Sequence, residues 1–187
     1  FSPGRKCGTR TAMPRKKKAN LLLPLLIRGP LPSRFQHSVG VMILMSRVLR
    51  RNRLPPEDAS ALLVAALYHD AGNPCLSHLA EHFLRELTGK DGESFLEEML
   101  DGSETAEALG DMGIHTGRLV RLVTGNEKPL SDVLHGSLDV DNLDNVNRYR
   151  AATRTKSPAF DAQAIADAFR FTPAGWVLRA EAKQETE

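Results

Sequence analysis

From Ser33 onward the apolar positions of this chain recur with a helical period. Ser33-Arg34-Phe35-Gln36 has the form of a capping box, in which a Ser hydroxyl and a Gln amide satisfy the first free backbone donors of a helix. Val41, Leu44, Met45 and Val48 follow at the i, i+3, i+4, i+7 spacing of one buried stripe, and His37 lies one turn before Val41 on the same face. Leu54-Pro55-Pro56 breaks this helix, and Glu57-Asp58 place acids in the first turn of the next, where the helix dipole favours them. The run Ala59 to Tyr68 then carries the chain through the interior to His69-Asp70, and Gly72-Asn73-Pro74 stops it. Further helices are predicted over 77–88, 93–101, 103–112, 115–124, 130–150 and 161–170, punctuated by Gly89, Gly102, Gly113, Gly125 and Pro158. Phe171 to Ala180 reads as a short extended piece, and Lys183 to Glu187 as a polar, frayed end. No internal repeat is visible.

With 187 residues and 5% aromatics, in a chain rich in Ala and Leu, the composition predicts one all-α domain with a core that needs no staples. Three parts are expected: a basic, flexible N-terminal segment over 1–32, a helical core over 33–170, and a C-terminal tail over 171–187 with a short strand. The net charge of +2 hides a polarised distribution. Thirteen Lys or Arg precede the first acid, Glu57, leaving twelve against twenty-three acids in the rest, so the globular body is acidic. Arg15-Lys16-Lys17-Lys18 raises nucleic-acid contact, but only Phe1 could stack on a base there, and a solvated tail is the expectation. Leu21 to Ile27 is too short, and too broken by Pro24, to span a bilayer, and no small-residue cleavage pattern follows it. The chain opens on Phe rather than Met, which leaves room for a fragment or an Arg-rich presequence. Cys7 and Cys75 form no disulfide framework, and a reducing cytoplasm is the expected compartment.

The chemistry concentrates at His69-Asp70. Neighbouring helical residues diverge by roughly 100°, but a cation held beyond the helix surface can be reached by both. His37 upstream and an Asp within Leu138 to Asp144 downstream complete a set of two imidazoles and two carboxylates; Asp141, three residues after Leu138 and seven after Leu134, is expected to face inward. A buried carboxylate needs a cation, an Arg or a proton, and of these a metal also accounts for the histidines. The pattern reads as a metal-assisted hydrolase with one divalent ion; mixed ligation admits Mn, Fe, Mg, Zn, Ni or Co. One motif competes. His78-Leu79-Ala80-Glu81-His82 has the spacing of an inverted zinc metallopeptidase, but that reading leaves His37, His69, Asp70 and Asp141 without a purpose.

Arg34-Phe35-Gln36-His37-Ser38, Tyr68-His69-Asp70-Ala71-Gly72-Asn73-Pro74 with Ser77-His78 beyond it, and Leu138-Asp139-Val140-Asp141-Asn142-Leu143-Asp144 stand in the order His, His-Asp, Asp over about residues 30 to 155. This order resembles the HD-domain phosphohydrolase superfamily, nearest the deoxynucleotide triphosphohydrolase-like branch. The resemblance implies an HD-domain helical bundle with the metal site between core helices. It implies His37, His69, Asp70 and Asp141 as ligands, Asp141 being the second Asp of Asp-x-Asp, and Asp139 as a cap or supporting group. Arg34 matches a phosphate-contacting Arg, His78 a His that serves the leaving group or phosphate, and Glu93 the acid that orients it; Arg148 is a second candidate phosphate contact. With Asp70 beside the metal-activated water, the implied reaction is hydrolysis of a nucleotide, a (deoxy)nucleoside triphosphate first, and a homo-oligomer is compatible with the branch. Asn73, Asn142 and Asn145 depart from the branch, replacing a His, a basic residue and a sugar-packing Tyr. A catalytically weak domain that senses nucleotides or scaffolds a partner is therefore the alternative.

Overall fold

The computed structural model describes residues 33–74, 78–90, 92–153 and 161–179, with the side chains of 78, 79, 81, 93 and 94 outside that description. The expected basic segment over 1–32 and the frayed end lie outside the described residues. Eight α-helices are present among those described: α1 Arg34–Arg50, α2 Pro56–Tyr68, α3 His78–Thr88, α4 Gly92–Leu100, α5 Glu104–Asp111, α6 Thr116–Val123, α7 Val140–Thr153 and α8 Ala162–Ala168. A 3-10 turn spans Leu130–Val133, and a two-stranded antiparallel hairpin follows α8, β1 Phe169–Thr172 against β2 Gly175–Leu178. No helix among the described residues is long and apolar enough to cross a membrane.

The start of α1 is built as its sequence dictates. The Ser33 hydroxyl accepts from the Gln36 amide at 3.1 Å while the Gln36 side chain accepts from the Ser33 amide at 3.0 Å. α1 packs on α2, α7 and α8, and α2 on α6. Val41, Met45 and Val48 of α1 are buried against the α2 face carrying Leu62, Ala65 and Ala66. The small Ala side chains bring the two helix backbones close, which sets how near the residues following α2 come to the start of α1. Leu119 and Leu122 of α6, and Val140 and Leu143 of α7, complete the same core. Arg118 of α6 ties this layer to the start of α2 by pairing with Asp58, and to the following loop through Glu127 at 2.8 Å.

Two expectations need correction. The span 130–150 is not one helix: a 3-10 turn is followed by irregular backbone over 135–139, and α7 begins only at Val140. Asp139 explains the break, because its Oδ1 accepts from the Asn142 amide at 2.7 Å and its Oδ2 from the Gly136 amide at 3.2 Å, so it caps a new helix. The helix expected over 161–170 ends at Ala168, where the chain turns into β1. The extended piece expected from Phe171 onward is not a single strand: it holds the end of β1, the turn Pro173-Ala174 and all of β2, and Phe169, Phe171 and Trp176 pack the hairpin on the core. The Trp176 indole N–H donates to the Leu130 carbonyl at 3.0 Å.

Candidate metal centre

Three segments deliver the site. α1 presents His37 from its first turn, on the stripe that buries Val41. His69 is the capping residue at the end of α2 and Asp70 follows it. Asp141 occupies the second position of α7, where the Asp139 cap places it. A continuous helical period predicts Asp141 inward; its actual position comes from the cap.

The Nε2 atoms of His37 and His69 face one another at 3.3 Å, with the rings edge-on at 78°. Asp141 Oδ1 lies 2.9 Å from the first Nε2 and 3.6 Å from the second, and Asp70 Oδ1 lies 3.9 Å from His69 Nε2. Ligand atoms of His37, His69 and Asp70 all fall within 4.8 Å of one another; Asp141 reaches that group through the two imidazoles. Each ring has its other nitrogen engaged. His37 Nδ1 donates to Asp144 Oδ2 at 2.7 Å, and His69 Nδ1 donates to the Ala66 carbonyl at 2.9 Å. With both Nδ1 protons committed, two lone pairs meet at Nε2, and only a proton or a cation between them makes that arrangement favourable. A donor set of two imidazole nitrogens and two carboxylates, the imidazoles oriented from behind by acceptors, fits a divalent ion.

The charges respond accordingly. Burial pushes the His37 imidazole down, but hydrogen bonds to Asp141 and Asp144 and their negative charges outweigh it, and its pKa is raised to about 9. His69 is raised too: burial opposes the shift, and Asp141, the Ala66 carbonyl and Asp70 overcome it. Burial pushes Asp141 up, whereas the two histidines draw its carboxyl well below the usual range. Protons thus gather where a cation would sit, and a metal ion must displace them.

The asparagines that depart from the expected pattern hold the carboxylates. Asn73 Nδ2 donates to Asp70 Oδ1 at 2.6 Å, and Asn145 Nδ2 donates to Asp141 Oδ1 at 2.8 Å. Asn142 instead bonds Asp139 at 3.1 Å, as part of the helix cap. Arg34 stands beside the centre, its Nη1 donating to the Asp70 carbonyl at 3.1 Å and lying 3.6 Å from Asp70 Oδ2. Arg148, expected as a second phosphate contact, is turned inward: its guanidinium bonds Asp144 and the Gln36 carbonyl. His78 and Glu93 fall in the first turns of α3 and α4, with side chains outside the described residues. His82, of the competing peptidase motif, is 72% exposed and pairs with Glu86, away from the convergent group; the Glu81 side chain lies outside the described residues.

Asp144 is the site residue that sequence reasoning missed. It is buried, it orients His37, and Arg148 neutralises it one turn further along α7. The spacing Asp144 to Arg148 at i, i+4 was the available signal.

The loop after Asp70 is fixed by backbone contact. A Cβ at Gly72 would stand 2.1 Å from the Gly92 carbonyl oxygen and 2.7 Å from the Leu96 amide, and one at Gly92 would stand 2.1 Å from Asn73 Oδ1. Backbone cannot yield as a side-chain tip can, so Gly72→Ala should cost about 1–3 kcal/mol of stability and loosen metal binding by moving Asp70 and Asn73. Urea unfolding beside a metal titration checks this; an unchanged variant in both would show that the loop accommodates the methyl group.

His37, His69-Asp70 and Asp141 thus converge from three segments of a helical domain, and ligand atoms of the first three lie close enough together to hold a metal ion. The chain belongs to the HD domain family, whose pattern matches residues 34–148. It is 26% identical over 151 residues to an uncharacterised protein of Mycoplasma pneumoniae, covering 73% of this chain and 36% of that protein. Among solved structures, a hypothetical protein from Aquifex aeolicus superposes with a TM-score of 0.67 at 28% identity, over 78% of this chain and 40% of its own. A protein from Bacteroides thetaiotaomicron described as a phosphohydrolase superposes with a TM-score of 0.63 at 22% identity, over 78% and 36%. This chain therefore spans well under half the length of each of these relatives.

Proposed function

We propose that this domain is a metal-dependent phosphohydrolase acting on a nucleotide, with a (deoxy)nucleoside triphosphate as first choice. The observation that carries the reading is the pairing of His37 and His69 through their Nε2 atoms beside Asp141, with Nδ1 of each fixed from behind. HD family membership and the structural likeness to a protein described as a phosphohydrolase support it. A divalent ion held by His37, His69, Asp70 and Asp141 would supply Lewis acidity toward phosphate oxygens and lower the pKa of a water.

The chain's own residues do the rest. Arg34, with 39% of its side chain exposed and its guanidinium tethered to the Asp70 carbonyl, is placed to receive phosphate oxygens and to neutralise the charge that grows in the transition state. Arg148 serves through Asp144, by holding the carboxylate that orients His37. His78 and Glu93 act as a pair that delivers a proton to the leaving oxygen. His78→Ala should then keep bound metal and lose kcat, while Arg34→Ala lowers kcat/KM by removing a charge-assisted contact. Metal loss in the His78 variant would make it a ligand and overturn that division.

Product analysis by ion-exchange chromatography, with Mn or Mg supplied, tests the reaction itself. Attack of water at the α-phosphorus of a nucleoside triphosphate breaks the bond to the sugar oxygen, which takes a proton, and releases nucleoside and intact tripolyphosphate. Tripolyphosphate supports the first choice. Orthophosphate from nucleoside monophosphates keeps the phosphohydrolase and moves the substrate. No product from either class favours a nucleotide-sensing or scaffold domain, for which the Asn73 and Asn145 tethers on the carboxylates are the supporting feature.

A further inference from the structure

The last turn of α1 carries a second concentration of charge. Arg47, Arg50, Arg51 and Arg53 fall within seven residues, in a protein whose chain beyond Glu57 is acidic. The first three, with Asp167 of α8, line a cleft of about 330 Å³. Asp167 is the carboxylate there: Arg47 pairs with it directly, and Arg51 Nη2 stands 3.9 Å away. Arg50 has no hydrogen bond or ion pair among the described residues, and the buried Arg47 Nε has no partner.

Basic residues in the last turn of a helix complement its dipole, and the pair of Arg47 with Asp167 joins α1 to α8. Those roles account for one guanidinium bound to one carboxylate. They leave Arg50 and Arg51 in the same concave space with no further acid among its lining residues, two charges in excess. Guanidinium forks match phosphate oxygens in bidentate geometry, and several around one cleft match a ligand with several linked phosphates. The cleft is also remote from the metal centre. His37 is in the first turn of α1 and these arginines in the last, about 15–20 Å along the axis at the helical rise.

We propose that this cleft is an anion site for the phosphate chain of a small molecule, separate from the His-Asp centre and independent of the reaction assigned to it. A free polyphosphate and the phosphate chain of a nucleotide share this chemistry, and the test separates them.

Calorimetric titration of the full, chelator-treated chain with inorganic tripolyphosphate at low salt should show binding that weakens as salt rises. In an Arg34→Ala background, which removes the proposed phosphate contact at the metal centre, tripolyphosphate binding should persist, and adding Arg50→Ala and Arg51→Ala should weaken it at least about tenfold. Arg50 and Arg51 are both exposed residues, so the melting temperature should hold; if it falls, Arg50→Glu alone, at an exposed position without a partner, carries the same comparison. Repeating the titration with a nucleoside triphosphate in the Arg34→Ala background identifies the source. Equal affinity assigns the site to the phosphate chain alone, and tighter binding that the double variant abolishes assigns it to a nucleotide. Tripolyphosphate binding that survives the loss of Arg50 and Arg51, or that disappears with Arg34, would overturn the proposal, as would binding of duplex nucleic acid without binding of tripolyphosphate.

Discussion

Metal analysis of the Asp70→Ala protein is expected to show loss of stoichiometric divalent ion and, with it, of turnover. Asp70 brings one of the two carboxylates to the centre, and its oxygens are poised from two sides, Oδ1 by Asn73 at 2.6 Å and Oδ2 by Arg34 at 3.6 Å. Losing a hydrogen-bond partner behind a ligand costs roughly 10- to 100-fold in metal affinity; losing the ligand itself should exceed that. Asp70 lies in the loop after α2 and is partly open to solvent, so the metal-free fold should keep its unfolding midpoint. That contrast is the diagnostic: affinity collapses and the scaffold stays. Retention of a full equivalent of metal by Asp70→Ala, or ligation by His78 and His82 in a metal-bound structure, would sink the assignment.

Asp144→Ala should damage both fold and site. The residue is 5% exposed, and its carboxylate accepts from His37 Nδ1 at 2.7 Å and pairs with Arg148 one helical turn away. Removing one member of a buried ion pair typically costs about 3–5 kcal/mol, because the remaining charge keeps its desolvation without its partner. Arg148 is about three-quarters buried and keeps only the Gln36 carbonyl, so the lower end of that range is expected. The same change frees the His37 ring to rotate or to move its proton to Nε2, which should weaken metal affinity by roughly 10- to 100-fold. Asp144→Asn separates the two effects, since an amide oxygen can still accept from Nδ1 while the pair with Arg148 loses its charge. Urea unfolding and metal titration on both variants are the measurements; an Asp144→Ala protein of parental stability and affinity would remove Asp144 from the account.

Local chemistry made most of the helices legible. The Ser33 capping box, the Leu54-Pro55-Pro56 break and the Gly72-Asn73-Pro74 stop each act within a few residues, and α1 and α2 form between them. The 130–150 region departs from a single helix: apolar residues at Leu130, Val133 and Leu134 imitate a helical stripe, while the side-chain cap of Asp139 that restarts the helix competes locally with that period. The His, His-Asp, Asp order could be read from the chain, because ligand types at buried spacings are uncommon. The roles of Asp144, Asn73 and Asn145 could not, since each depends on which neighbour a side chain meets in three dimensions. Arg148 looked like a ligand contact for the same reason: a sequence shows its charge and hides the carboxylate that claims it.

The two histidines stand 32 residues apart along the chain, and His37 meets Asp144 across 107. An unfolded chain has no reason to hold these groups together, so an ion that needs all of them binds the native state alone. Loading and folding are then a single coupled equilibrium: free ion at 100 times its Kd would deepen the native well by about 2.7 kcal/mol. Ion supply would thereby set how much of the chain is lost to proteolysis in a cell, well before it sets the rate of any reaction.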